Sequence, residues 1–96
     1  MSKNFTAHAA IRKQQRGIPQ IVADWLLDYG DEQFDGRGGV IRYFSRQCIR
    51  LLEREVGRES VARLSEYLRC YLIQSNRDGA IITISKRHIK KHIWRH

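Results

Sequence analysis

Glycine and proline cut this 96-residue chain into short pieces. Gly17-Ile18-Pro19, Gly30, Asp35-Gly36-Arg37-Gly38-Gly39, Gly57 and Asp78-Gly79 each interrupt an apolar pattern. Glycine reaches backbone conformations that end helices and close turns, and proline cannot continue a helix interior. What lies between the breaks must therefore fold as short helices and strands that cover one another. No run approaches the length of a transmembrane span, and no repeat, linker or low-complexity stretch divides the chain. Residues 1–96 read as one domain, the size at which a single small core forms.

The pieces have recognisable periods. Ala7 to about Gln15 reads as a helix, with Thr6 placed as its N-cap and Gly17 as its stop. Pro19 suits the first turn of a second helix. Ile21, Val22, Trp25, Leu26 and Tyr29 form that helix's apolar stripe, and Gly30 ends it. Val40 to Ser45 alternates and is rich in β-formers, so it reads as a strand, and Gln33-Phe34 is placed to begin a partner strand. Gln47 to Val56 is helical through Cys48, Ile49, Leu52 and Val56. Gly57 breaks the pattern and Glu59 to Leu68 resumes it. Cys70 to Gln74 and Ala80 to Ser85 are strands, joined by an Asn76–Gly79 turn whose Asp-Gly pair is a hairpin signal. The expected fold is α+β, in the order α-α-β-α-α-β-β. An N-terminal helical hairpin and further helices pack on a small antiparallel sheet, followed by a short basic C-terminal tail or helix.

Charge narrows the partners. The net charge is +8 with a pI near 10.1, which favours anionic partners: nucleic acid, ribosomal RNA or an acidic protein ahead of an anionic membrane. All ten acids lie between Asp24 and Asp78, where nine arginines leave a sum of −1. Lys3, Arg12, Lys13 and Arg16 precede that stretch, and Lys86, Arg87, Lys90, Lys91 and Arg95 follow it. The positive excess sits at the two ends. A fold that joins them builds one basic face; otherwise they are two solvated ends. Cys48 and Cys70 form no C-x-x-C pair. With no signal peptide visible, they read as small hydrophobes in a reducing cytoplasm.

His8, Arg12 and Arg16 recur every four residues, which puts them on one helix stripe. Such a stripe is a poor core face and a good phosphate clamp, because guanidinium offers a planar fork of donors and imidazole exchanges a proton near neutral pH. These three are the candidate catalytic residues. Lys13, Lys86, Arg87, His88, Lys90 and Lys91 are the candidate nucleic-acid contacts. A cluster of this kind can cut RNA without metal: the 2′-hydroxyl attacks phosphorus while cations stabilise the added charge. Arg42, Arg46, Arg50, Arg54 and Arg58 also step by four, but Glu53, Glu55 and Glu59 are interleaved, so a self-paired, solvated face is the preferred reading. His88, His92 and His96 have metal-ligand spacing but no acid or thiol close by in sequence to complete a site. The glycine-rich loop lacks the Gly-Lys-Ser/Thr of a P-loop. No metal or cofactor is called for.

The segment from His8 through Arg16-Gly17-Ile18, together with the strand-like Gly79-Ala-Ile-Ile-Thr-Ile84, resembles domain-of-unknown-function family 4258, a small bacterial family. The stretch 45–69 is more helical than is usual there. That family is distantly similar to the RelE/BrnT-like toxins, compact α+β domains. The resemblance implies a cytoplasmic toxin of a toxin–antitoxin pair, an endoribonuclease acting on RNA or at the ribosome and held by an acidic antitoxin protein. It carries over no catalytic residue. The alternative is a non-catalytic module that binds nucleic acid or an acidic protein through the same face.

Overall fold

The computed structural model describes residues 5–86. Among these residues, four helices cover one face of a four-stranded antiparallel sheet. The helices are α1 (Ala7–Gln15), α2 (Gln20–Tyr29), α3 (Arg46–Val56) and α4 (Arg58–Arg63). The strands are β1 (Asp31–Phe34), β2 (Gly39–Tyr43), β3 (Tyr71–Ser75) and β4 (Ile81–Ser85), hydrogen-bonded in chain order. The α+β class expected from the sequence is the class observed. The order α-α-β-α-α-β-β lacks one strand: β1 forms over all of Asp31–Phe34, where only Gln33-Phe34 reads as a strand start. Three of its four residues are polar, which hides it from pattern reading. As an edge strand it needs only main-chain pairing to β2, in the register Asp31↔Tyr43 to Phe34↔Val40.

Local chemistry explains the helix ends. The Thr6 hydroxyl accepts from the Ala9 N–H at 3.1 Å, capping α1. Gly17 at φ 63° closes it, with Ile18 N–H donating to Lys13 C=O and Gly17 N–H to Gln14 C=O. This is the paired closure that a left-handed glycine permits, and Ile18 tucks into the core behind it. Pro19 sits one position earlier than expected, as the N-cap of α2. The buried side of α2 is Val22, Ala23, Trp25 and Leu26, while Ile21 is 45% exposed. Five apolar residues are more than one helix face can bury. Ser45 caps α3 through Cys48 N–H. Gly57, at φ 98°, ends α3 and begins α4 in one residue. The helix expected over Glu59–Leu68 stops at Arg63 and is followed by a 3₁₀ turn, Ser65–Tyr67. That tighter turn brings Leu64, Tyr67 and Leu68 all against the core.

The core is one apolar cluster between the helices and the sheet face that carries Leu72 and Ile84. Among the described residues it holds no polar or charged side chain. A bulge between Ile73 and Gln74 shifts the β3–β4 register, so that Ile81 and Ile84 are both fully buried although they stand three apart. In a regular strand that spacing puts them on opposite faces. Beside the bulge, Phe5 bridges Ile81 and Thr6 N–H donates to Ile81 C=O at 2.9 Å. This fixes the start of α1, which packs along β4.

Gly30 is required for space rather than for φ. Its backbone, at φ −64°, suits any residue. A Cβ there would lie 2.5 Å from the Leu26 carbonyl oxygen and 3.2 Å from that of Tyr43. Alanine gains about 0.4–1 kcal/mol by restricting the unfolded chain, while crowding costs about 1–3 kcal/mol. Gly30→Ala is therefore expected to lower the midpoint of urea unfolding, and an unchanged or higher midpoint contradicts the crowding.

Cys48 and Cys70 are free and buried. Burial raises both thiols, and that of Cys70 is pushed up to about 12. The thiolate is the reactive form, so both should resist a thiol-titrating disulfide reagent in the native protein and react on unfolding. Fast labelling of either cysteine under native conditions excludes this account.

The β1–β2 loop closes on Asp35, whose carboxylate accepts from Arg37 N–H at 2.7 Å and Gly39 N–H at 2.9 Å. These bonds hold its pKa below the ordinary 3.8. A depressed folded value stabilises in full above the ordinary carboxylate range and fades as pH falls through the folded value. Asp35→Asn should therefore be less stable than the parent at pH 7 and converge with it in strong acid. Urea titrations at the two pH values check this, and a gap that persists unchanged in acid rules it out.

Candidate nucleic-acid interface

The stripe expected from the sequence is present on α1. Ala7–Gln15 is helical and Arg16 is its C-cap, so His8, Arg12 and Arg16 follow one another along the helix. His8 and Arg16 are exposed and Arg12 is half-buried. Among the described residues, none of the three side chains has a hydrogen-bond or ion-pair partner. Ala9, fully buried, is where α1 meets the core. It stands one residue after His8 and three before Arg12, so the stripe runs along the margin of the buried side and Arg12 is half-buried there. Basic residues in the last turn also suit the negative end of the helix dipole, which gives Arg12 and Lys13 a structural reason to be there.

The other expected contacts are distributed. Lys13 points away from the stripe, its ammonium 5.9 Å from the Phe5 ring centre. It lines a cleft of about 500 Å³ with Phe5, Gln14, Ile18 and Pro19, which none of the three stripe residues enters. Lys86 directly follows β4, the strand against which α1 packs. The Lys86 ammonium lies 5.3 Å from the Tyr67 ring centre, directed toward the 3₁₀ turn. Arg87, His88, Lys90 and Lys91 lie outside the described residues, as does the His88/His92/His96 series. Among the described residues, no three His, Cys, Asp or Glu side chains gather as a metal site would require.

The tyrosines serve the scaffold. Tyr43 pairs directly across from Tyr71 on the sheet face opposite the helices. Burial, and then the charge of Asp31, raises the Tyr43 hydroxyl. A hydrogen bond to the Glu66 carboxylate raises that of Tyr67. Both shifts run away from the neutral range in which a general base works.

The arginine series departs from its expected reading. Arg42 leaves it altogether: from β2 its guanidinium reaches Glu32 at 2.7 Å, the Leu27 carbonyl at 3.3 Å and the Gln74 side-chain oxygen. Glu59 reaches Arg63, loosely, at 3.8 Å. These are the ion pairs among the described residues, so Glu53 and Glu55 do not neutralise Arg46, Arg50 or Arg54. Instead Arg50 and Arg54 line a cleft of about 460 Å³ between α3 and the junction of α2 with β1. Tyr29, Asp31, Gln47, Cys48 and Leu51 complete it. The spacing of these arginines is plain in the sequence, but their freedom from the neighbouring glutamates and their concave setting are not.

No helix among the described residues is long and apolar enough to cross a membrane. Compared with known proteins, the chain matches no family model, no curated protein and no solved structure.

Proposed function

We propose that this is a small RNA-directed protein whose α1 stripe clamps backbone phosphates, serving in the cytoplasm as the endoribonuclease toxin of a bacterial toxin–antitoxin pair. The observation that carries the reading is the row His8, Arg12 and Arg16, which no described acid neutralises, on a helix laid against β4. Like charges four apart on a helix cost up to about 0.5 kcal/mol per pair. A bound phosphate reverses that cost and gains charge-assisted hydrogen bonds.

In the cleavage this face would perform, His8 takes the proton of a ribose 2′-hydroxyl. The 2′-oxygen then bonds to the adjacent phosphorus, and Arg12 and Arg16 stabilise the extra negative charge. The bond to the 5′-oxygen breaks, that oxygen takes a proton from water, and a 2′,3′-cyclic phosphate remains. Lys13 and Lys86, with Arg87, His88, Lys90 and Lys91, extend the positive field along the RNA and toward an acidic antitoxin. The reaction calls on no metal or cofactor.

One observation favours a second reading, a non-catalytic module that binds nucleic acid or an acidic protein. His8 is exposed, and no described residue orients its ring, whereas an efficient general base is held by a neighbour.

Induced expression in bacteria is expected to arrest growth, and His8→Ala/Arg16→Ala, equally soluble and expressed, to relieve the arrest. Neither residue is buried, so the pair should leave stability nearly unchanged. RNA retained by the parent but never cut supports the binding module. No arrest at confirmed soluble expression counts against the toxin.

A further inference from the structure

The cleft on α3 has features that the α1 stripe lacks. Arg50 and Arg54 are one helical turn apart and exposed, and no described acid pairs with either. They stand on a concave surface, where two guanidinium forks converge on one group more readily than on a convex helix face. Asp31 lines the same cleft without forming an ion pair to either arginine. The cleft is therefore cationic at one wall and offers an acceptor at another. Tyr29 and Leu51 supply apolar surface beside them, and Gln47 can both donate and accept.

Size and charge select among ligands. About 460 Å³ is much larger than a phosphate ion needs and lies within the range of small-molecule sites. A polyphosphate filling the cleft would bring its charge against Asp31. A single phosphate attached to a neutral, hydroxyl-bearing, ring-containing body satisfies every wall.

We propose that this cleft binds a nucleoside monophosphate unit, with its phosphate on Arg50 and Arg54, its ribose hydroxyls donating to Asp31 and its base against Tyr29 and Leu51. The same chemistry is presented by a free nucleotide and by the 5′-phosphorylated end of an RNA. The site is separate from α1 and does not depend on what the α1 stripe does.

Calorimetry on the full chain tests it, with adenosine 5′-monophosphate, adenosine and inorganic phosphate as probes. The monophosphate is expected to bind at least tenfold more tightly than either fragment. Arg50→Gln/Arg54→Gln should weaken it at least tenfold, with the circular dichroism spectrum unchanged because both side chains are exposed. His8→Ala/Arg16→Ala should bind it as the parent does. A 5′-phosphorylated hexaribonucleotide that displaces the monophosphate assigns the site to an RNA end, and failure to displace assigns it to a free nucleotide. Equal affinity for inorganic phosphate and the monophosphate overturns the proposal, as does undiminished binding by the Arg50/Arg54 variant or no binding at millimolar nucleotide.

Discussion

The sheet face that carries Leu72 and Ile84 is apolar and the described helices must cover it, and the rest of the molecule follows from that constraint. Leu26, Leu52, Leu72, Ile81, Ile84 and Val22 are fully buried in the cover. Each stabilises by about 1.5–3 kcal/mol, whereas an exposed pair such as Arg63–Glu59 contributes at most about 1 kcal/mol. Burial therefore decides the arrangement and charge decorates it. The β3–β4 bulge is the sheet's accommodation to this demand. Without it, either Ile81 or Ile84 would face away from the helices, and the site where Phe5 and Thr6 dock would be displaced.

Arg42 is the main polar exception near that boundary. On β2 it stands across from Leu72, on the helix side of the sheet, and its guanidinium joins β1, β3 and the α2 backbone. Three partners satisfy most of its donors, which is the condition for keeping a charge mostly out of water. The side chain thus ties the C-terminal half of α2 to the edge strand. Tyr29 and Asp31, which follow, are held as one wall of the cleft, and α3 supplies the other.

The two cationic rows differ in setting more than in composition. The α1 row lies on a convex helix, along the margin of the side that Ala9 buries, so it suits an extended backbone passing beside that edge. The α3 row faces a bounded space with an acid and an aromatic ring, so it suits a discrete ligand. Phosphate affinity alone does not distinguish the two. The shape of the surroundings and the second, oppositely charged group do.

Much of the fold was legible in local sequence because it rests on local chemistry. The Thr6 cap, the Gly17 stop and the Asp78-Gly79 turn each need a residue type at a fixed offset, and each is found where the sequence places it. The His8/Arg12/Arg16 stripe was legible for the same reason: helical periodicity alone aligns it. Tertiary structure decided what depends on partners distant in the chain. It made a strand of the polar segment Asp31–Phe34 by pairing it to β2, and turned Ile21 outward because Val22 and Trp25 took the buried face. It drew Arg42 out of its series toward Glu32 and Gln74, and set Arg50 and Arg54 over a cleft with no ion pair to any described acid. Spacing along the chain fixes which side chains share a helix face. Only packing fixes what that face meets.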